Sequence, residues 1–253
     1  MRKQGRVFTL ILFIGFCFLS GQAQVVNIES RRVDAKKPGW QGYGELWFSY
    51  LQNQNRAISI GTRVSLVYLK ERHKYLLISD AAFNQTNNTN LESSGFQHVR
   101  YNYVLGPRWV WEGFGQVYFS RQMRLYPRYT FGSGPRFKVY KGDSMQVYLG
   151  GSLMFEHEAL QNPRESYSSE RLSFYLSWVL SKHKFIRFDW MFLYQPRLVD
   201  FSDRRIQTEI RADIDVVKRL KLRLAASILF DSNQASGVPS TFINSRTSFL
   251  FEF

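Results

Sequence analysis

Cysteine, histidine and long apolar runs are all scarce in this sequence. A single cysteine, Cys17, and four histidines stand among 253 residues. One thiol builds neither a disulfide framework nor a Cys/His metal site, and no H-E-x-x-H or G-x-S-x-G pattern supplies a hydrolytic motif. Acid is short as well: 20 Asp and Glu against 34 Lys and Arg give a formal charge of +14. Beyond residue 23 no apolar run reaches the ~18 residues that a membrane-crossing helix needs, and mean hydropathy is -0.30. What the chain does have is aromatic weight, 22 Phe and 14 Tyr, which suits strands.

The N-terminus has a different character from the rest. Arg2, Lys3 and Arg6 precede an apolar stretch from Val7 to Leu19, which ends at the small-x-small triplet Gly21-Gln22-Ala23. This order predicts a secretory signal peptide over residues 1–23, cut after Ala23. Phe16 in front of Cys17 does not fit a lipoprotein cleavage site. Export removes the only thiol, so the mature chain is expected to rely on packing and hydrogen bonds. It also excludes nucleic acid as a partner for the excess positive charge. Lipopolysaccharide phosphates, other outer-membrane lipid and small anionic solutes remain.

The mature chain alternates with a period of two. Ile206, Thr208, Ile210, Ala212, Ile214 and Val216 are interleaved with Arg205, Gln207, Glu209, Arg211, Asp213 and Asp215. A helix would scatter those charges around its circumference, whereas a strand sorts them onto one face. The same reading predicts twelve strands: 42–52, 56–69, 74–84, 95–105, 108–120, 126–140, 145–158, 170–181, 185–195, 204–217, 220–231 and 241–253. Five connections are short, such as Gly106-Pro107 and Lys218-Arg219. Longer polar loops fall at 85–94, 121–125, 159–169, 196–203 and 232–240, and only Asn53-Gln54-Asn55 breaks the alternation.

Short turns at one end and long loops at the other predict an all-β, antiparallel, up-and-down transmembrane barrel over residues 42–253, with 24–41 as a short periplasmic segment. The address is then the outer membrane. A soluble sandwich or lipocalin-like barrel also alternates, but it would put the charged face outward. The aromatic residues favour the inverted arrangement, because Trp109, Trp111, Trp178, Trp190, Tyr129 and Tyr194 fall on the apolar face, as interfacial girdles do. The last strand alternates to a terminal Phe253. That ending resembles the signal read by the barrel assembly machinery, a partner expected during insertion.

An Arg or Lys facing lipid at the midplane costs about 2–4 kcal/mol, so the charges must point into the barrel. The expected lumen residues are Arg63, Asp80, Arg100, Glu112, Arg128, Arg136, Glu156, Arg171, Arg187, Asp189, Arg205, Glu209, Arg211, Asp213, Arg223 and Arg246. Arginine forks onto carboxylates with two parallel bonds, which predicts an ion-pair network across the interior. Such a network either fills and stiffens the barrel or lines a permeation path with an excess of Arg.

Three stretches resemble the DUF481 family of outer-membrane proteins, some described as salt-induced. They are Gly39-Trp40-x-Gly42 with Glu45-Leu46-Trp47-Phe48-Ser49, then His98 to Tyr103 with Trp111 to Gln116, and then Leu125 to Arg128 with Gly132 to Arg136 and Tyr148 to Glu156. The similarity spans the mature chain and is most specific over 96–158. It departs at Asn53-Gln54-Asn55, where a Ser/Gly-rich turn is expected. The resemblance implies an outer-membrane barrel and carries no activity to transfer.

No catalytic, cofactor or metal site is expected. His98 falls on the lumen face, His73 and His183 in turns, and His157 beside Glu156 and Glu158, a carboxylate pair that could hold Ca²⁺ near a rim. The Asn84-Gln85-Thr86 and Asn87-Asn88-Thr89 sequons read as chance matches. The leading expectation is a non-enzymatic outer-membrane barrel, either a narrow channel or a structural, envelope-stress protein. An outer-membrane enzyme acting on lipid or lipopolysaccharide is the alternative, and it requires a Ser or carboxylate to meet His98.

Overall fold

The computed structural model describes residues 37–52, 56–86, 92–121, 125–160, 165–183, 185–233 and 240–253. The expected signal peptide, residues 24–36 and the central parts of several loops lie outside the described residues. Twelve strands run in order: β1 (Gly39–Gln52), β2 (Arg56–Lys70), β3 (His73–Thr86), β4 (Glu92–Val104), β5 (Trp109–Ser120), β6 (Leu125–Lys141), β7 (Met145–Leu160), β8 (Glu165–His183), β9 (Ile186–Pro196), β10 (Arg204–Val217), β11 (Leu220–Asp231) and β12 (Thr241–Glu252). Each is antiparallel to its neighbours, and β12 returns to β1 to close a barrel.

All twelve expected strands form. The largest difference is at β8, which begins at Glu165 rather than 170, so much of the expected 159–169 loop is strand. The reason is pairing beyond the alternating run: Ser166 and Tyr167 continue the ladder opposite Ala159 and Glu158, and the Tyr167 hydroxyl donates to Glu158. β1 likewise starts at Gly39, three residues before the expected entry. The tight ends are true hairpin turns. Glu71 (φ 52°) and Arg219 (φ 73°) adopt the left-handed conformation that two-residue hairpins demand.

The wall is inside out relative to a soluble protein. Along β10, Arg205, Gln207, Arg211 and Asp213 are buried while Ile210 is 55% exposed. Leu46, Phe48, Val99, Phe131, Leu153 and Phe249 stand exposed on the outer face of other strands. A closed ladder with apolar side chains outward is the arrangement that hydrocarbon permits, since every strand finds a partner within the wall. The outer indoles are served too: Trp111 Nε1 donates to Ser133 Oγ at 2.9 Å and Trp190 Nε1 to Thr208 Oγ1 at 3.0 Å. These bonds explain two polar residues on a greasy face.

Two features depart from a simple charged tube. The interior also holds buried apolar side chains, among them Val67, Leu76, Ile78, Phe96, Met191 and Leu229. β3 is apolar on both faces around Leu76, Leu77 and Ile78, so alternation alone does not show which of these turn inward. The closure is also short. β1 and β12 pair in register from Tyr43–Glu252 to Leu46–Phe249, with Gly42 and Phe253 exchanging both backbone hydrogen bonds beyond (3.1 and 3.0 Å), whereas β1 and β2 pair along their full length. Beyond Leu46, Trp47 turns inward so that its ring covers Gly61, leaving no room there for a Cβ.

Candidate functional site in the charged interior

Of the expected lumen residues, Asp80, Arg187, Glu209 and Arg246 are half-buried and the others buried, and the structure gathers all but Glu209 into three groups. Nearest the long loops, Arg205 sits at the centre of the first. Its guanidinium reaches Glu156 (2.7 Å), Glu158 (2.5 Å) and Asp231 (2.7 Å), donating from all three nitrogens. Arg171 bridges Glu156 (3.2 Å) and Asp203 (2.6 Å), and Arg128 lies against Glu158 and Glu156. Glu156 and Glu158 therefore face three guanidiniums, which leaves the pair unsuited to Ca²⁺. No cluster of three metal-ligating residues exists among the described residues.

The second group is a continuous belt. Arg63 forks onto Asp80 (2.8 and 3.1 Å) and reaches Glu45 at 2.8 Å. Glu45 also accepts from Arg223 (3.2 Å) and from the Ser248 hydroxyl (2.6 Å). Arg223 forks onto Asp213 (2.7 and 2.9 Å), Arg211 bonds Asp189 (2.6 Å), and Arg187 completes the run on Asp189 (3.1 Å). The belt thus crosses the short β1–β12 closure through a single carboxylate. Arg246 joins it more loosely, 3.7 Å from Glu45 and over the Trp47 ring. Glu209 faces inward on β10 but forms no ion pair among the described residues.

The third group centres on Glu112, which takes Arg100 (2.9 Å), the Tyr175 hydroxyl (3.0 Å) and Arg136 (3.7 Å). Arg136 is also stacked over Tyr148, 4.1 Å from the ring centroid. His98 is fully buried here between Phe96 and Phe114, and it accepts a hydrogen bond from Arg100 Nε at 3.2 Å. A guanidinium donating to the ring holds it as a structural acceptor.

Sequence reasoning missed Glu45, Glu158, Asp203 and Asp231 as members of the ion-pair network, and Arg197, 3.9 Å from Asp203. Asp203 and Asp231 sit where strand meets loop, beyond the alternating runs, while Glu45 lay in plain view in the first strand. Their inclusion changes the electrostatics. The expected set held ten arginines and six acids, but with these residues the interior carries eleven arginines and ten acids among the described residues. The expected positive lumen is corrected to a nearly neutral one. Between the side chains lie a chamber of about 60 Å³ beside Glu112, Glu156 and Tyr175, and a second of about 20 Å³ beside Trp47 and Arg63. Outside the wall, in the loop after β9, Ser202 donates its N–H and hydroxyl to Asp200, holding that carboxyl below its usual range.

Compared with known proteins, residues 49–253 match the family model described as a protein of unknown function, DUF481. No curated protein matches in sequence. Among solved structures, an outer-membrane channel from Pseudomonas putida F1 superposes with a TM-score of 0.53 at 10% identity, covering 87% of this chain and 97% of that one. The NanC porin gives 0.49 at 11% identity, with coverage of 85% and 98%. The KdgM porin in complex with disordered oligogalacturonate gives 0.45 at 8%, with coverage of 84% and 99%. At such identities the likeness is one of fold.

Proposed function

This chain belongs to the DUF481 family, and from that premise we propose that it is a non-enzymatic outer-membrane barrel of the narrow-channel kind, shut at rest by its own side chains. The observation that carries this reading is the interior itself. Buried guanidiniums and carboxylates meet across it in three groups, with a chamber of about 60 Å³ among them. A twelve-strand barrel is wider than the eight-strand kind that side chains just fill. Here the long arms of arginine supply the missing bulk.

In this reading the short turns face the periplasm and the long loops the exterior. Membrane lipid surrounds the wall, and the barrel assembly machinery inserts it. Small solutes pass only when an ion-pair group rearranges. The near-neutral interior removes the strong anion preference that the arginine excess suggested. The test is planar-bilayer recording of the refolded mature chain. The expected result is a quiet membrane with brief, small openings that show weak ion selectivity. Opening should become frequent in Glu112→Gln, which leaves Arg100 and Arg136 without the carboxylate they share. A large, steady, ohmic conductance in the unmodified protein would overturn the reading.

A further inference from the structure

The chain's positive charge is not spread over the barrel. The interior is close to neutral, and at the loop end the described residues set Arg121 and Arg204 against Glu170 and Asp200. The excess sits at the short-turn end. Lys70 and Arg72 flank the β2–β3 turn, Arg108 the β4–β5 turn, Lys141 the β6–β7 turn, and Lys218 and Arg219 form the β10–β11 turn; all six are exposed. The acids beside them in these turns are Glu71 and Asp143.

A band of rings lies one step inside this basic rim. Trp40, Tyr68, Tyr75 and Tyr101 run across β1 to β4 with successive centroids 5.0, 6.3 and 5.2 Å apart. Trp109 and Phe137 continue the band at 4.6 Å. Aromatic belts mark the level of lipid headgroups. Basic side chains placed directly beyond such a belt stand at the height of the phosphates, where each strengthens attraction to an anionic surface.

We propose that the short-turn rim is a binding surface for anionic glycerophospholipid headgroups of the periplasmic leaflet. The leaflet follows from the orientation proposed above, so the inference rests on that reading. It also moves the expected lipid partner, because lipopolysaccharide phosphates would meet the loop end, where charges are mixed. The rim recognises a phosphodiester anion rather than a particular head, and a ring of separate turns suits many single lipids better than one large partner.

Trp40 and Trp109 stand in the band, so their fluorescence reports which lipid is adjacent. The experiment reconstitutes the mature barrel in phosphatidylcholine bilayers containing brominated phosphatidylglycerol, brominated phosphatidylcholine or lipid A. Quenching by phosphatidylglycerol should exceed that by phosphatidylcholine several-fold at low salt and approach it at high salt. Arg72→Gln with Lys218→Gln and Arg219→Asn should lower the preference by roughly two- to fivefold per residue at low salt. Arg121→Gln at the loop end should leave it unchanged. Folding is checked by the β-sheet circular dichroism signal, and Arg72→Gln alone serves if the triple variant does not fold. Equal quenching by the two phospholipids overturns the proposal, as does a preference for lipid A that survives the rim substitutions. A barrel that conducts freely yet prefers phosphatidylglycerol would sink the closed-channel reading and leave this one standing.

Discussion

Glu45 shows how much one side chain governs here. It is fully enclosed, it accepts from Arg63, Arg223 and Ser248, and those partners come from β2, β11 and β12. Removing its charge leaves buried guanidiniums facing one another across the closure, the situation in which breaking a buried pair costs about 3–5 kcal/mol. Glu45→Gln should therefore lower the thermal unfolding midpoint in detergent far more than Glu252→Gln, a half-exposed partner of Lys221 at the mouth. Similar midpoints for the two variants would show that the belt adds little to stability. The importance of Glu45 was not legible from the strand pattern. Period two assigns a face but not a partner, and Glu45 finds Arg223 at 178 positions' separation. Leu76 and Ile78 were hidden for the opposite reason, since β3 offers apolar residues to both faces.

At the level of strands and turns, the sequence was far more informative. Alternation and turn composition located every strand because lipid on one side and charge on the other enforce a strict sorting of side chains. That sorting is testable. Ile210→Arg and Leu149→Arg place a cation on the outer face and should impair assembly, at a cost of about 2–4 kcal/mol near the midplane. Arg211→Gln should be milder, because Asp189 keeps Arg187 and Asp213 keeps Arg223. Yields of folded, heat-modifiable barrel measure both, and equal tolerance at residues 210 and 211 would reverse the faces. Orientation has its own test: a short tag near Asn88 or Pro163 should be labelled on intact cells, while one at Gly142-Asp143 should not. Where prediction stopped short, as at β8, the ladder outran the hydrophobic pattern. Strand pairing continues into polar sequence wherever both neighbours remain extended.

For the molecule as a whole, the sequence indicated a charged lumen but not whether it is open, because that depends on how long side chains from opposite walls meet. Fold and outward face were legible; the neutral balance inside was not, since it turned on Asp203 and Asp231 at strand ends. One further consequence follows from the closure, where β1 and β12 pair only from Gly42–Phe253 to Leu46–Phe249 among the described residues. Heat should unfasten the cylinder there first and roll it open as a flat ribbon, with the other eleven joints still zipped. Residues 24–253 carry no thiol, so Leu46→Cys with Phe249→Cys would install a lone staple at that hem, formed spontaneously in an oxidising compartment. It should raise the melting point by roughly 5–10 °C, whereas the matching pair Ile60→Cys with Phe83→Cys, within a joint already paired along its length, should do much less. If both staples help equally, the barrel melts everywhere at once; if only the first does, the durability of the whole wall under heat is set by the narrow strip where its two ends meet.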